Sequence, residues 1–588
     1  MWRVLLSLLI LFVLGRSVMF FLNQFGPKEK VSYTEMAMYS FSLGYATLTI
    51  IGVILAQFGI LISPINLIII IIIPVLAICF WIYKKRDGNV YHAEDFNWQD
   101  QPNQERSVSE CAKVFLSSIR LSHIVLFLIY AVGLFLRLET QLVDPWLGDQ
   151  DPYYHLSFID SIVVQGTLPS RTFWGFYSYP PSFHVVFATL ISTIQVDRYI
   201  LMKIVPEFLG FICVPAVYAI IKRKYGEWAG IASAAFLAIS SFHIYRTNIA
   251  IPEPIALLGI LMFFHAMTTQ KGIKKYLLAG FFASIVFLTN VIGILYFLPG
   301  VAGIFLVSLL LRRWNNALGY LKATIVGLLF SGVFWVPTVY RLGLSGVFEG
   351  LGPSVSYGAF SFTSHTYFSW IGWGACMLAL IGLYVCLRDF KNNLVFLIPI
   401  GFFLFLIEAA NNGYLFFEAN VLFRGLLFLG TWVTLLSGVG FWKVMQTKRK
   451  RIAITALAVI VVLTVVSFPW LTGNRYPVNW GYDNADFVYR SYLENYADIF
   501  KDKSYKIYAA DWAFNYGAFD NVILAKEQPQ IEEGFLRNDS LVLIDLFRKY
   551  NIKYLILNNG TKEAEFLVKS NLAYTYHENW ITIVLAIK

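Results

Sequence analysis

Residues 146–158, WLGDQDPYYHLSF, place Asp149, Asp151 and His155, with Tyr153 and Tyr154 between them, directly after a long apolar run. A second polar island, YRTNIAIPEPIALL at 245–258, carries Arg246 and Glu253 between two further apolar runs. Carboxylates from two such loops, meeting at one boundary, can hold a divalent cation such as Mg²⁺ or Mn²⁺ or take a proton from an acceptor hydroxyl or amide. ANVLFRGLLFLG puts Arg424 at the mouth of another apolar run. An arginine in that position is costly to keep and usually functional. Asp144 and Asp160 flank the first island and read equally as loop acids, while Tyr153 and Tyr154 also suit an interfacial aromatic belt.

The elements that must position these groups are membrane helices. The chain has 588 residues, 57% of them hydrophobic and 14% charged, a balance that excludes a soluble globular protein of this size. Apolar stretches of spanning length fall near 2–25, 38–60, 65–84, 122–138, 204–221, 228–245, 254–270, 276–290, 291–311, 320–340, 366–387, 393–410, 420–443 and 451–470. That is roughly fourteen crossings, at about 20 residues each, with the 276–311 pair ambiguous by one. The stretch 183–196 is too short to cross and reads as interfacial or re-entrant.

The formal charge of +10 sits in short clusters between apolar runs, among them Lys84 to Arg86, Lys222 to Lys224, Arg312-Arg313 and Lys448 to Arg451. This is the pattern of cytoplasmic loop anchors and argues against a nucleic-acid partner. With these clusters inside, residues 139–180, the loops near 246–253, 341–365 and 411–419, and everything after Pro469 lie outside. The expected setting is a multi-pass protein of the cell (plasma) membrane with its polar islands on the extracytoplasmic face. The five cysteines show neither zinc spacing nor a disulfide framework.

Four regions follow: an accessory three-helix segment (1–85), a polar cytoplasmic linker (86–121), a transmembrane catalytic domain (122–470) and a soluble extracytoplasmic α/β domain (471–588). In the last, KIYAAD, VILAK, YLILNN and ITIVLAI read as strands, and ADFVYRSYLENY and SLVLIDLFRKYN as helices. Asn538 and Asn559 open glycosylation-type triplets there.

DPYYH after an outward helix, then VVQGTLPS and YSYPPSFH in the same loop, resemble the first external loop of the GT-C membrane glycosyltransferases. Within that class the sequence is most similar to the catalytic subunit of archaeal and bacterial oligosaccharyltransferases, over about 120–588. The resemblance implies a GT-C fold: a polytopic α-helical membrane protein with a C-terminal extracytoplasmic α/β domain. It implies Asp151 as catalytic acid-base or metal ligand, with Glu253 as its partner and Asp149 in reserve. Arg424, Arg246 and His155 would serve the donor phosphate, and Glu349 in VFEGLGPSV would be a further metal ligand. The implied partners are a polyprenyl-linked sugar donor in the membrane lipid and an acceptor protein or glycan.

Two departures from the family pattern steer the expectation. Ile255 stands where a second acid would be, and the acceptor motif is reduced to Ala513-Phe514-Asn515-Tyr516-Gly517, with Asp511 and Trp512 just before it. Trp512, Asn515 and Tyr516 are therefore the acceptor-binding candidates. The leading expectation is a transferase that moves a sugar or glycan from a polyprenyl (dolichyl) phosphate or diphosphate to an extracytoplasmic acceptor. A sequon-directed oligosaccharyltransferase is the alternative, and a non-enzymatic transporter, flippase or scaffold is a third reading.

Overall fold

In the computed structural model the described residues are 1–25, 31–58, 60, 120–143, 147, 150–169, 171–172, 175–176, 179–350, 370–412, 419–447, 504–509, 522–524, 528–558, 561–578 and 582–587. Two N-terminal helices, α1 (Trp2–Leu22) and α2 (Tyr33–Gln57), come first. α2 starts on a capping box: the Ser32 hydroxyl accepts from the Glu35 amide, and the Glu35 carboxylate accepts from the Ser32 amide at 2.8 Å. The membrane body follows with α3 (Leu121–Val143), α4 (Gln150–Gln165), a short hairpin β1 (Arg171–Thr172) and β2 (Gly175–Phe176), and α5 (Ser182–Ile194). Next are α6 (Arg198–Phe211), α7 (Cys213–Tyr225), α8 (Glu227–Ala238), α9 (Ser241–Thr247), α10 (Glu253–Thr269), α11 (Gly272–Thr289), α12 (Val291–Leu310) and α13 (Trp314–Gly350). The body ends with α14 (Trp373–Arg388), α15 (Leu394–Asn411) and α16 (Ala419–Met445).

Among the described residues eight helices are long and apolar enough to cross a membrane, or nine if the bent pair α8–α9 is one span. α6 and α7 together form one of them, and α10, α14 and α15 are shorter apolar helices. The ambiguous stretch 276–311 is two helices, because Asn290 takes an extended conformation and its side chain accepts from the Gly293 amide at 3.1 Å to start α12. The short stretch 183–196 is α5, a helix of 13 residues, about 20 Å long at 1.5 Å per residue and so short of a full crossing. The expected spans 65–84 and 451–470 lie outside the described residues, as does nearly all of the linker.

The N-terminal helices are more than an appendage. α2 packs on α5, α11 and α13, and its apolar side chains join the same buried core as the rest of the body. Its polar face explains the attachment. Glu35, 3% exposed, binds Arg223 of α7 through two hydrogen bonds of 2.8 and 3.0 Å and His265 of α10 at 3.1 Å. Tyr39, one turn further, donates to the other nitrogen of His265 at 2.8 Å. A buried glutamate with this many partners is satisfied only when α2 is docked.

After the membrane body comes a mixed five-stranded sheet of order β4-β3-β5-β7-β6, with β3 (Lys506–Ala509), β4 (Val522–Leu524), β5 (Ile552–Asn558), β6 (Ala573–Glu578) and β7 (Thr582–Ile587). β3 pairs in parallel with β4 and β5, and the last three strands are antiparallel. α17 (Pro529–Leu536), α18 (Ser540–Lys549) and α19 (Lys562–Lys569) accompany it. Four strands and α18 fall where the alternation of apolar residues puts them. β6, α17 and α19 escape that reading, because AYTYHE is too polar to stand out and the two helices have only two turns each.

Candidate active site

Both carboxylates of interest sit in the first turn of a helix. Asp151 opens α4 and is followed by Pro152; Glu253 opens α10 between Pro252 and Pro254. Proline suits that turn, where its missing N–H would have no intrahelical partner, and the helix dipole favours a negative charge there. Arg424 lies in the second turn of α16. Its place is fixed from behind: a side chain at Gly425 would collide with the hydroxyl of Tyr296 on α12, which itself stacks on Phe428 at 4.8 Å.

The three elements meet through the Arg424 guanidinium. It reaches Glu253 Oε1 at 2.8 Å with Nη1 and Asp151 Oδ2 at 3.4 Å with Nη2. The other Glu253 oxygen, Oε2, accepts from Arg246 Nε at 3.0 Å and from a second nitrogen of the same guanidinium. Burial grades outward along this chain. Arg246 and Glu253 are buried, whereas the side chains of Arg424 and Asp151 retain 25% and 47% exposure. The result is an alternating row of two cations and two anions whose charges cancel and whose outer end is open.

His155 is one turn beyond Asp151 on the same face of α4. Its Nδ1 shares a hydrogen bond of 2.9 Å with Nε2 of His184 on α5. Burial holds the His155 ring to a pKa of about 4, with Asp151 acting against that shift. The imidazole is therefore neutral near pH 7. Tyr179 stands beside it, 5.6 Å between ring centroids, and accepts from Asn290 at 3.1 Å. Burial likewise pushes the Tyr179 phenol well above its usual range.

The sequence candidates divide accordingly. Asp151, Glu253, Arg246 and Arg424 come together, with His155 next to them. Asp160 is elsewhere, in a 2.7 Å ion pair with Arg198 that ties α4 to α6. Asp144, Asp149, Trp512, Asn515 and Tyr516 lie outside the described residues, and so does the Glu349 side chain at the end of α13. Sequence reasoning missed the buried His184 and Asn290 and the partly buried Tyr179, all polar groups close to helix starts, and it missed Arg137, an arginine inside the apolar run of α3.

Two of the expected roles meet competing contacts in this geometry. Glu253 does not fit a metal ligand, because both its oxygens already accept from arginine and a divalent cation would sit against two guanidinium charges. Among the described residues no group of three or more His, Cys, Asp or Glu side chains could hold a metal. Arg246 does not fit a direct phosphate ligand either, since it is buried and spent on Glu253. Through that carboxylate it is linked to Arg424.

A family of dolichyl-phosphate-mannose-protein mannosyltransferases matches residues 179–335, a stretch that contains both Arg246 and Glu253. The match covers 157 of the 588 residues. No curated protein matches this chain. Among solved structures it is similar to the oligosaccharyltransferase AglB from Archaeoglobus fulgidus in complex with an inhibitory peptide and a dolichol-phosphate, at 11% identity and a TM-score of 0.48 over 74% of this chain and 69% of that one. The same archaeal enzyme in complex with Zn and sulfate gives 13% identity and a TM-score of 0.47, over 74% and 68%. ArnT from Cupriavidus metallidurans bound to undecaprenyl phosphate gives 14% identity and a TM-score of 0.46, over 82% and 98%. The chain places Asp151 and Glu253 in the first turns of α4 and α10, Arg424 in the second turn of α16 and Arg246 in the last turn of α9.

Proposed function

We propose that this transferase moves a sugar from a polyprenyl phosphate to a hydroxyl-bearing acceptor on the extracytoplasmic side of the cell membrane. In this reading Asp151 takes the acceptor proton as the acceptor oxygen bonds to the sugar's anomeric carbon. The bond from that carbon to the phosphate oxygen breaks, and the electron pair leaves with the lipid phosphate onto Arg424. His155, neutral and held by His184, lines the same face as a hydrogen-bonding wall. The observation that supports the reading is the partly exposed Arg424 guanidinium next to a half-exposed carboxylate, at the end of an otherwise buried charge row. One group binds a leaving phosphate and its neighbour accepts a proton.

The compensated charges favour a monosaccharide phosphate donor and metal-independent transfer over a diphosphate donor with Mg²⁺ or Mn²⁺. The purified protein should transfer sugar from a polyprenyl phosphate donor at near full rate in EDTA. A rate that collapses with EDTA and returns with Mn²⁺ would overturn this assignment. Arg424→Lys should weaken donor binding and Arg424→Ala should weaken it further, because lysine cannot grip two phosphate oxygens in parallel. The extracytoplasmic placement rests on the basic ends of the helices, such as Lys222 to Lys224 in the last turn of α7. Labelling of a cysteine at position 222 from outside intact cells would reverse it.

A further inference from the structure

Arg137 is completely buried in α3, and three of the four hydrogen bonds described for its guanidinium lead to the elbow between α8 and α9. Nη1 donates to the carbonyl of Gly133 on its own helix at 2.6 Å and to the carbonyl of Ala238 at 3.0 Å. Nη2 donates to the Leu237 carbonyl at 3.3 Å and to Nδ1 of His243 at 2.8 Å. Leu237 and Ala238 end α8, and His243 lies in α9, so one side chain holds both arms of a 63° bend. The last carbonyls of a helix lack intrahelical donors, and a cation at that end also meets the negative pole of the helix dipole. Glu207 on α6, also fully buried, is within electrostatic reach of Arg137. Close packing supports the contact: a Cβ at Gly133 would press on Ala238 at 3.0 Å and on Phe211 at 3.4 Å.

The elbow leads straight to the active site. α9 carries Arg246 one turn after His243, and the chain then enters Glu253 at the start of α10. α3 in turn is the helix before α4, which carries Asp151. We propose that Arg137 is a positioning residue that clamps the α8–α9 elbow, setting Arg246 against Glu253 and so aiming Arg424 at the substrate phosphate. The inference about the elbow is geometric, and its consequence for catalysis rests on the function proposed above. An arginine is needed because the carbonyls and the imidazole lie in different directions, which a forked donor meets and an ammonium does not. His243, with Nδ1 as acceptor, keeps its proton on Nε2, which has no partner among the described residues.

The test separates the two layers. For the elbow, Tyr245→Cys places a thiol on α9, and its alkylation rate is compared in the parent, Arg137→Lys, Arg137→Ala and His243→Ala backgrounds. The clamp predicts a change of roughly tenfold or more, the equivalent of one lost buried hydrogen bond, with recovery in Arg137→Ala when methylguanidinium is added and none with methylammonium. Unchanged alkylation in all three folded backgrounds would overturn the clamp. Should Arg137→Ala fail to give monodisperse protein, His243→Ala decides, because it frees only the α9 arm. For catalysis, undecaprenyl phosphate affinity is measured in a double-mutant cycle. Arg137→Lys should weaken binding severalfold in the parent and have little further effect in an Arg246→Ala background. Losses that multiply across the cycle would mean that Arg137 does not act through Arg246. Altered alkylation in a protein that binds no polyprenyl phosphate in its parent form would leave the clamp standing and remove the proposed function.

Discussion

Asp151 and His155 share one face of a helix but answer differently to substitution. Asp151 is half exposed, so Asp151→Asn should leave the melting temperature within about a degree or two, since exposed charges contribute little to stability. Transfer should fall by roughly 100-fold or more, the usual contribution of a positioned base, measured with purified protein and a lipid-linked donor. His155 is buried, and its pKa of about 4 lies below the usual histidine value. Between those two values the unfolded chain binds the proton that the folded one refuses. Stability should therefore be complete above about pH 6.5 and fall as the pH is lowered toward 4. Melting curves of the parent and of His155→Gln across that range check this, and a parallel pH dependence in both would place the effect elsewhere. The residues of the site were legible because each is polar in an apolar setting. Their pairing was not, because Asp151 and Arg424 are 273 positions apart and nothing local tells which cation will meet which carboxylate.

At the scale of elements, the apolar runs foretold the helices well, since hydrophobic length alone decides what can cross a bilayer. The breaks between helices were harder to see. Asn290 splits an apolar stretch by capping, and the α8–α9 elbow bends where the sequence reads as one continuous run. The α12–α16 contact offers a direct probe. Gly425→Ala drives a methyl group into the Tyr296 hydroxyl and should displace the turn that carries Arg424, lowering donor affinity by roughly tenfold or more. Tyr296→Phe removes the hydroxyl but leaves the ring carbon 2.8 Å from that methyl, so rescue should be partial. Equal donor binding in Gly425→Ala and the parent would show that α16 is not set by this contact.

For the whole molecule, the N-terminal helices belong to the folding unit, although the resemblance that begins near residue 120 leaves them out. Hydrophobic periodicity says that α2 is a membrane helix; only the Glu35, Arg223 and His265 cluster says where it docks. Glu35→Ala would leave the buried His265 imidazole and the partly exposed Arg223 guanidinium without their carboxylate. The expected cost is about 1–3 kcal/mol, that of leaving a buried polar group unpaired, read as a lower melting temperature in detergent with the low-temperature helical signal retained. A melt like the parent's would mean that α2 is held by apolar packing alone.

The charge row has one more implication, which concerns competition. At rest the accessible cation of the site is already held by the enzyme's own Glu253 and Asp151. An incoming phosphate must displace Asp151, whereas Glu253 can keep Arg246 as its counter-ion throughout. On the proposed function the pocket carries a built-in rival to its ligand, so weakly charged head groups should lose that contest and a phosphate monoanion or dianion should win it. The same residue then has opposite effects on capture and on chemistry. Asp151→Asn, inactive in transfer, should hold a polyprenyl phosphate more tightly than the parent does, because the neutral amide no longer contends for Arg424.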